Sequence, residues 1–170
     1  MKSRIVILIS VIVTVSLITF LSSYTSKNKL SIDGAWSIVE VQTIKSDGSK
    51  TSVFPKESLA IFAGKHYSFC WTSHSSATRS WQLADSVKIN RFNQSIINTG
   101  TYELKDSILS TKAKLSMSMM FTDGLAKFKC TLKEDTLVLK GLAVVSSDNI
   151  LHPAYANGTH FESKLVRVKK

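Results

Sequence analysis

Few residues in this sequence could perform acid, base or metal chemistry. It holds four histidines, at positions 66, 74, 152 and 160, and two cysteines, at 70 and 130. No H-E-x-x-H, C-x-x-C, G-x-S-x-G or glycine-rich phosphate loop occurs, so the motifs of the common zinc, redox, hydrolase and nucleotide sites are missing. The spacing of His74, His152 and His160 does not favour a metal site. We therefore expect no metal and no cofactor.

One carboxylate stands apart from those that lie in turns. Glu40 shares a period-two pattern with Trp36 and Ile38, which would aim it into the interior of a fold built from strands. There it would hold the polar end of a ligand or, together with His66, act as a base. Alternatively, the strand rotates, Glu40 lies in water, and His66 is an ordinary strand residue. Both interpretations stay open at this point.

Strands are the elements that would position these residues. Short pieces rich in β-branched and aromatic types alternate between apolar and polar residues, and turn residues such as Ser46-Asp47-Gly48 separate them. The predicted strands are 35–44, 50–54, 58–63, 66–72, 99–104, 108–115, 125–132, 136–142 and 161–168. No strand-helix-strand alternation occurs, so we do not expect a parallel sheet. An antiparallel meander that closes into a barrel has no exposed edge strands. The prediction is an all-β, antiparallel up-and-down barrel of about eight or nine strands.

One segment departs from the period of two. Residues 81–97 place apolar side chains at spacings of three and four, which is typical of a short helix. Asp85 is a suitable N-cap, and Asn98 with Gly100 would end the helix. Because such a helix commonly lies across the open end of a small barrel, Trp81 becomes a candidate for covering the mouth.

The first 26 residues differ from the rest of the chain. Lys2 and Arg4 precede an apolar run over 5–21, and small polar residues follow, which is the pattern of a secretory signal. The run is long for a signal and no Ala-x-Ala site follows it, so an uncleaved membrane anchor is the alternative. Both interpretations predict an exported protein, periplasmic or extracellular. Neither cysteine lies just after the run, so we do not expect a lipoprotein.

Composition narrows the class of partner. The chain has 22 Lys+Arg against 12 Asp+Glu, a formal net charge of +10, as in many proteins that bind nucleic acid or anionic surfaces. However, lysines such as Lys127, Lys129 and Lys133 alternate singly with other residues, which indicates the wet face of a strand. We therefore expect no nucleic-acid partner. Any membrane association would come through residues 5–21.

Several short motifs together resemble a known family. They are the Gly-x-Trp at 34–36, the Ser-Asp-Gly at 46–48, I-F-A-G-K-H-Y-S-F at 61–69 and F-N-Q-S-I-I-N-T-G-T-Y-E-L at 92–104. Their order is similar to that of the bacterial lipocalin-like domain family over residues 32 to about 142. The resemblance implies one lipocalin-like barrel domain over 34–170, after a spacer at 27–33. It also implies that Arg167 on the last strand lies over Trp36 and closes the narrow end.

Period-two parity then selects the side chains that face the interior. Tyr67, Phe69 and Trp71 share one face of their strand, and Phe128 and Leu132 share a face opposite the lysines. The candidate ligand-binding residues are Glu40, Tyr67, Phe69, Trp71, Trp81, Tyr102, Phe128 and Leu132. An eight-stranded barrel has room for one small ligand, so we expect a non-enzymatic protein that binds a small apolar molecule.

Two other functions are compatible with the sequence. The barrel could be packed solid by its aromatic residues and serve as a structural or protein-interaction module of the cell envelope. It could instead be a cavity enzyme of the isomerase or hydrolase type. Cys130 shares a face with Phe128, whereas Cys70 alternates with Phe69 and Trp71, so the two thiols should point to opposite faces. We therefore do not expect a disulfide, although an oxidising compartment would permit one.

Overall fold

The computed structural model describes residues 30–73 and 80–169, and all structural statements below concern these ranges. Within them the chain forms nine strands, each overlapping one that the sequence predicted. These are β1 (Gly34–Ile44), β2 (Lys50–Val53), β3 (Glu57–Ala63), β4 (His66–Thr72), β5 (Ser95–Lys105), β6 (Ile108–Ser116), β7 (Leu125–Lys133), β8 (Thr136–Val145) and β9 (His160–Arg167). The predicted export segment and His74 lie outside the described residues.

The sheet is antiparallel throughout and closes on itself. Its strand order is β2-β1-β3-β4-β5-β6-β7-β8-β9, and β1 pairs with β9 from Trp36↔Arg167 to Ile44↔His160. The first part of β1 pairs with β3 and the second part with β2, so β2 continues the wall that β3 begins. The result is a closed eight-stranded antiparallel barrel with one extra strand, which confirms the predicted fold class.

The two ends of the barrel are built differently. At one end, which we call the closed end, two-residue turns join successive strands, and several of their residues have the positive φ that tight hairpins require. At the other, the open end, the connections are longer. The closed-end turns are 64–65, 106–107 and 134–135. The open-end connections include 45–49, 117–124, 146–159 and, between β4 and β5, the described residues 80–94. Helical segments α1 (Asp85–Asn93) and α2 (Pro153–Ala156) and a 3-10 turn (Met119–Phe121) lie in the open-end connections.

The tightest part of the core lies at the closed end. The Trp36 ring is fully buried, and its Nε1 donates a hydrogen bond of 2.9 Å to the carbonyl of Ile32. Arg167 Cζ lies 4.1 Å from the centroid of the indole, and Arg167 Nη1 donates to the Asp33 carbonyl at 2.8 Å. The predicted contact between the first and last strands is thus confirmed. Gly34 makes it possible, because a Cβ there would lie 2.7 Å from Arg167 Nη1.

The predicted helix is shorter than expected. Helix α1 begins at Asp85, with Ala84 rather than Asp85 at the N-cap position, and it ends at Asn93. Ile96 and Asn98, which the pattern placed in the helix or at its end, belong to β5 and pair with Trp71 and Phe69 of β4. Ladder hydrogen bonds to a neighbouring strand override a three-and-four spacing that is too short to specify a helix by itself.

The predicted inward orientation of Glu40 is wrong. The register between β1 and β9 shifts between Ile38 and Glu40, so Val39 is an extra residue and the alternation reverses after it. The Glu40 carboxylate therefore lies at the outer surface, where it accepts hydrogen bonds from Ser52 Oγ at 2.7 Å and Gln42 Nε2 at 2.8 Å. These two bonds, that of Ser52 first, lower the pKa of the carboxyl.

Candidate functional site

A cavity of about 390 Å³ occupies the barrel interior and reaches the open end. Its walls come from the inward faces of the strands, and its rim includes residues of the open-end connections. The lining residues are Val41, Thr43, Val53, Phe62, Tyr67, Phe69, Trp71, Ile96, Asn98, Leu109, Thr111, Ala113, Phe121, Gly124, Leu125, Ala126, Phe128, Leu139, Val144, His152, Tyr155, Phe161 and Ser163. The barrel is therefore hollow, in a size range typical of small-molecule sites.

Four of the predicted site residues line this cavity. Tyr67, Phe69 and Trp71 form an aromatic row along β4, and Phe128 belongs to β7. Alternation along regular strands brings them inward, as the parity argument expected. Burial raises the pKa of Tyr67, against the smaller opposite effect of a hydrogen bond with Thr111, so its hydroxyl is neutral and can donate or accept.

The other four predicted residues do not line the cavity. Glu40 lies on the outer surface, as described above, and the Trp81 side chain is fully exposed. Tyr102 lies toward the closed end, where its ring packs edge-on against Phe62 at 5.4 Å and its hydroxyl donates to Asp33 Oδ1 at 2.8 Å. Leu132 is half-buried opposite Leu137, beside the last turn of the closed end.

An aromatic cluster at the rim of the cavity was not predicted from the sequence. The His152 imidazole stacks on Phe121 at 5.8 Å between ring centroids, and Tyr155 packs edge-on against Phe161 at 5.9 Å. These residues come from three separate chain segments, namely the connection between β6 and β7, the connection between β8 and β9, and β9 itself. The spacing of His152, Tyr155 and Phe161 before and within the last strand was the available signal, but it does not specify which other side chains these rings contact.

Two local features hold this cluster in place. His152 Nδ1 accepts a hydrogen bond of 3.2 Å from the Ala154 amide and so caps α2, which leaves the proton of the neutral ring on Nε2. Gly141 on β8 leaves the space that the Tyr155 hydroxyl occupies, because a side-chain carbon at position 141 would clash with it. The aromatic cluster at the rim is therefore held in a defined position by the barrel.

Two polar atoms near the open end are buried without a hydrogen-bond partner. They are Asn98 Oδ1 and Ser116 Oγ, the only such side-chain atoms among the described residues. Asn98 and Ser116 are register partners across β5 and β6, next to an irregularity where Lys114 is the extra residue. A buried polar atom without a hydrogen-bond partner costs on the order of 1–3 kcal/mol, so these two atoms lower the stability of this part of the barrel.

Charged groups lie outside the cavity. None of its lining residues, all within the described part of the chain, is Lys, Arg, Asp or Glu. His66 is exposed on β4 and does not line the cavity either. Cys70 and Cys130 are free thiols, as the parity argument expected, and burial raises the pKa of Cys130 to about 11. The interior is thus a neutral, largely aromatic environment.

Within the described ranges, His, Cys, Asp and Glu side chains form no group of three that could hold a metal ion. No helix in residues 30–73 or 80–169 combines the length and the apolar character needed to cross a membrane. Compared with models of protein families, with curated proteins and with solved structures, the chain matches none at a significant level.

Proposed function

We propose that this chain is an exported lipocalin-like protein that binds a small apolar molecule inside its barrel. The observation on which the proposal rests is the cavity of about 390 Å³, whose lining is mainly aromatic and aliphatic. When an apolar ligand displaces water from an apolar cavity wall, binding is favoured by about 25 cal/mol for each Å² of apolar surface removed from water.

Two features support a lipocalin-like protein. The barrel is antiparallel and closed by β1 and β9, and one end is sealed while the other has long connections. The Trp36–Arg167 pair that the resemblance implied lies at the sealed end. The basic and apolar pattern of residues 1–26 supports the proposed export, with a membrane anchor over 5–21 as the alternative.

The positions of the polar residues favour binding over catalysis. A cavity enzyme of the isomerase or hydrolase type was expected to use Glu40 and His66, and neither lines the cavity. Among the described lining residues the one imidazole is that of His152, which lies in an aromatic cluster, and none of these residues carries a carboxylate. General acid-base catalysis needs a group of suitable pKa beside the substrate, and a lone capping histidine supplies little of that chemistry.

The proposal is tested with the neutral fluorescent probe N-phenyl-naphthylamine. Trp81→Phe first removes the exposed indole, so that the remaining tryptophans are buried Trp36 and cavity-lining Trp71. We expect saturable probe fluorescence, energy transfer from Trp71, and a Kd of about 1 μM or lower. Loss of the transfer in Trp71→Phe, with probe binding retained, would place the probe in the cavity.

A matched pair of variants tests whether the cavity is the site. Ala126→Trp fills the lumen from β7, whereas Ala143→Trp adds the same side chain on the outer face of β8, opposite Lys127. Only Ala126→Trp should abolish probe binding. Equal binding by both variants, or no saturable binding by the unmodified protein, would contradict the proposal.

A further inference from the structure

One part of the outer barrel wall, within the residues that the structure describes, carries no charged side chains. Two neighbouring rows of outward residues cross β3, β4, β5 and β6, and we call them the apolar patch. The row nearer the open end is Leu59, Cys70 and Ile97, and the other is Ile61, Ser68, Thr99 and Leu115. The four large aliphatic side chains among them are all exposed, from 39% for Ile61 to 63% for Leu115. The strand register makes them neighbours, so they form one continuous surface.

The sequence of β3 is that of a strand covered on both faces. Residues 59–63 are all apolar, whereas a strand with one face in water normally alternates apolar and polar residues. Ala60 and Phe62 are buried in the interior, but Leu59 and Ile61 remain exposed on the outside. Contiguous exposed apolar patches on soluble proteins mark interaction sites, so the outer face of β3 indicates a partner.

Many basic residues of the barrel lie on another wall. The exposed residues of β7, β8 and β9 include five lysines, namely Lys127, Lys129, Lys133, Lys140 and Lys164. Two basic residues that border the apolar patch are paired, Arg91 with Glu57 at 2.6 Å and Lys114 with Asp123 at 2.7 Å. The patch is therefore a neutral surface on a chain whose formal net charge is +10.

This distribution of charge selects the kind of partner. An anionic membrane or an acidic protein gains most from lysines, so it would be attracted to the wall of β7, β8 and β9 rather than to the apolar patch. Two copies of a strongly basic chain repel each other, and they approach most easily through a face without positive charge. When two patches meet about a twofold axis, apolar rows face apolar rows and the lysine-rich walls point away from each other.

We propose that the apolar patch binds a second copy of this chain, so that two barrels form a homodimer through their outer walls. The patch is about 15 Å wide, because it spans four strands about 4.8 Å apart. It is therefore smaller than the roughly 800 Å² per partner of a standard interface, and the dimer is weak and concentration-dependent. The cavity opens at the end of the barrel rather than on this wall, so the inference does not depend on the proposed function.

Sedimentation equilibrium tests the inference. We expect the purified protein to dimerise with a Kd on the order of 100 μM, and more tightly at high salt, which screens the repulsion between two basic chains. Leu59→Lys places a positive charge in both facing patches and should raise the Kd by about tenfold or more. The matched control Leu142→Lys changes a leucine of nearly equal exposure, 45% against 44%, on β8 and should leave the Kd unchanged.

A chemical probe locates the contact independently. Cys70 lies in the middle of its row, between Leu59 and Ile97, so the thiols of the two copies approach each other near the twofold axis. A short bis-maleimide should therefore join two copies of the unmodified protein and of Cys130→Ser, which removes a buried thiol, but not of Cys70→Ser. Leu115→Lys, at the most exposed position of the patch, should weaken both the dimer and the cross-link while keeping the native circular dichroism spectrum.

Three results would overturn the inference. The first is a protein that stays monomeric up to about 1 mM, well above the expected Kd. The second is a dimer that Leu59→Lys and Leu115→Lys weaken no more than Leu142→Lys does. The third is a monomer that binds vesicles of phosphatidylglycerol and loses this binding in Leu59→Lys, because the patch would then contact a membrane.

Discussion

The two ends of the barrel treat polar groups in opposite ways. At the closed end, Trp36 Nε1, Arg167 Nη1 and the Tyr102 hydroxyl all donate to Ile32 or Asp33 within 2.8–2.9 Å. At the open end, Asn98 Oδ1 and Ser116 Oγ are buried and lack partners among the described residues. Native proteins pair nearly all buried polar atoms, so these two neighbouring exceptions distinguish the open end from the closed end.

Packing differs in the same direction. The largest fully buried side chains include Trp36, Leu137 and Leu165, near the closed end, whereas Trp71 and Phe128, which line the cavity, are only half-buried. Contacts at the closed end therefore supply a larger share of the folding free energy for each residue. The open-end wall keeps apolar surface exposed to a space that a ligand can occupy.

Truncation of the closed-end tryptophan should have the largest effect. Trp36→Ala removes a fully buried indole and its hydrogen bond to Ile32, and we expect a loss of about 3–5 kcal/mol in the free energy of unfolding. Trp71→Ala removes the same side chain from the cavity wall and should lose no more than about 2 kcal/mol. Urea denaturation followed by circular dichroism measures both. Equal losses would show that the two ends do not differ in packing.

Removal of the guanidinium that covers Trp36 should have the next largest effect. Arg167→Met keeps much of the aliphatic stem but loses the cation–π contact and the bond to the Asp33 carbonyl, at a cost of about 1–3 kcal/mol. The matched control is Arg91→Met, which breaks an exposed ion pair with Glu57 and should cost at most about 1 kcal/mol. A larger cost for Arg91→Met in chemical denaturation would contradict this assignment.

Alkaline pH should weaken the closed end through Tyr102. Burial first, and then the hydrogen bond to Asp33 and its charge, raise the pKa of Tyr102 to about 12. Because this pKa lies above the unfolded value of about 10, the neutral phenol stabilises the fold fully below about pH 10. That contribution is lost as pH rises through about 12. Tyr102→Phe should therefore show a smaller fall in stability over this range in denaturant titrations.

Cys130 also contributes to the loss of stability at alkaline pH. The comparison with Tyr102→Phe therefore separates the effect of the Tyr102 phenol from that of the Cys130 thiol. Burial raises the pKa of the Cys130 thiol to about 11, and its stabilising effect also disappears as pH rises. If Tyr102→Phe and the unmodified protein lose stability equally between pH 8 and pH 12, the phenol does not contribute and the prediction fails.

The smallest change, and the one of opposite sign, is expected at the open end. Without ligand, Asn98→Leu replaces a buried acceptor that lacks a partner with an apolar group of similar size, and stability should stay the same or rise by about 1 kcal/mol. At the closed end, Tyr102→Phe at neutral pH should lose about 1 kcal/mol, because it breaks a hydrogen bond that is present. Thermal unfolding measures whether Asn98→Leu raises and Tyr102→Phe lowers the stability of the protein. A loss of stability in Asn98→Leu would remove the distinction between the ends.

Local patterns predicted most of the barrel. The alternation over 66–72 and 125–132 places Tyr67, Phe69, Trp71 and Phe128 inward because regular strands keep a period of two. Where a strand carries an extra residue, the same argument fails. Val39 reverses the parity of β1 and moves Glu40 to the outer surface, and nothing in the local sequence marks that position as a bulge.

Short-range alternation and turn chemistry specify the strands, their turns and the antiparallel meander, whereas the Trp36–Arg167 pair was implied by the resemblance to lipocalins. The hollow interior and the pairing of Asn98 with Ser116, whose buried side-chain oxygens lack partners among the described residues, emerge only when the strands assemble. His152 and Tyr155 likewise form the rim only in the assembled barrel. These features depend on pairings between distant segments, whose register and bulges are selected by the packing of the whole barrel.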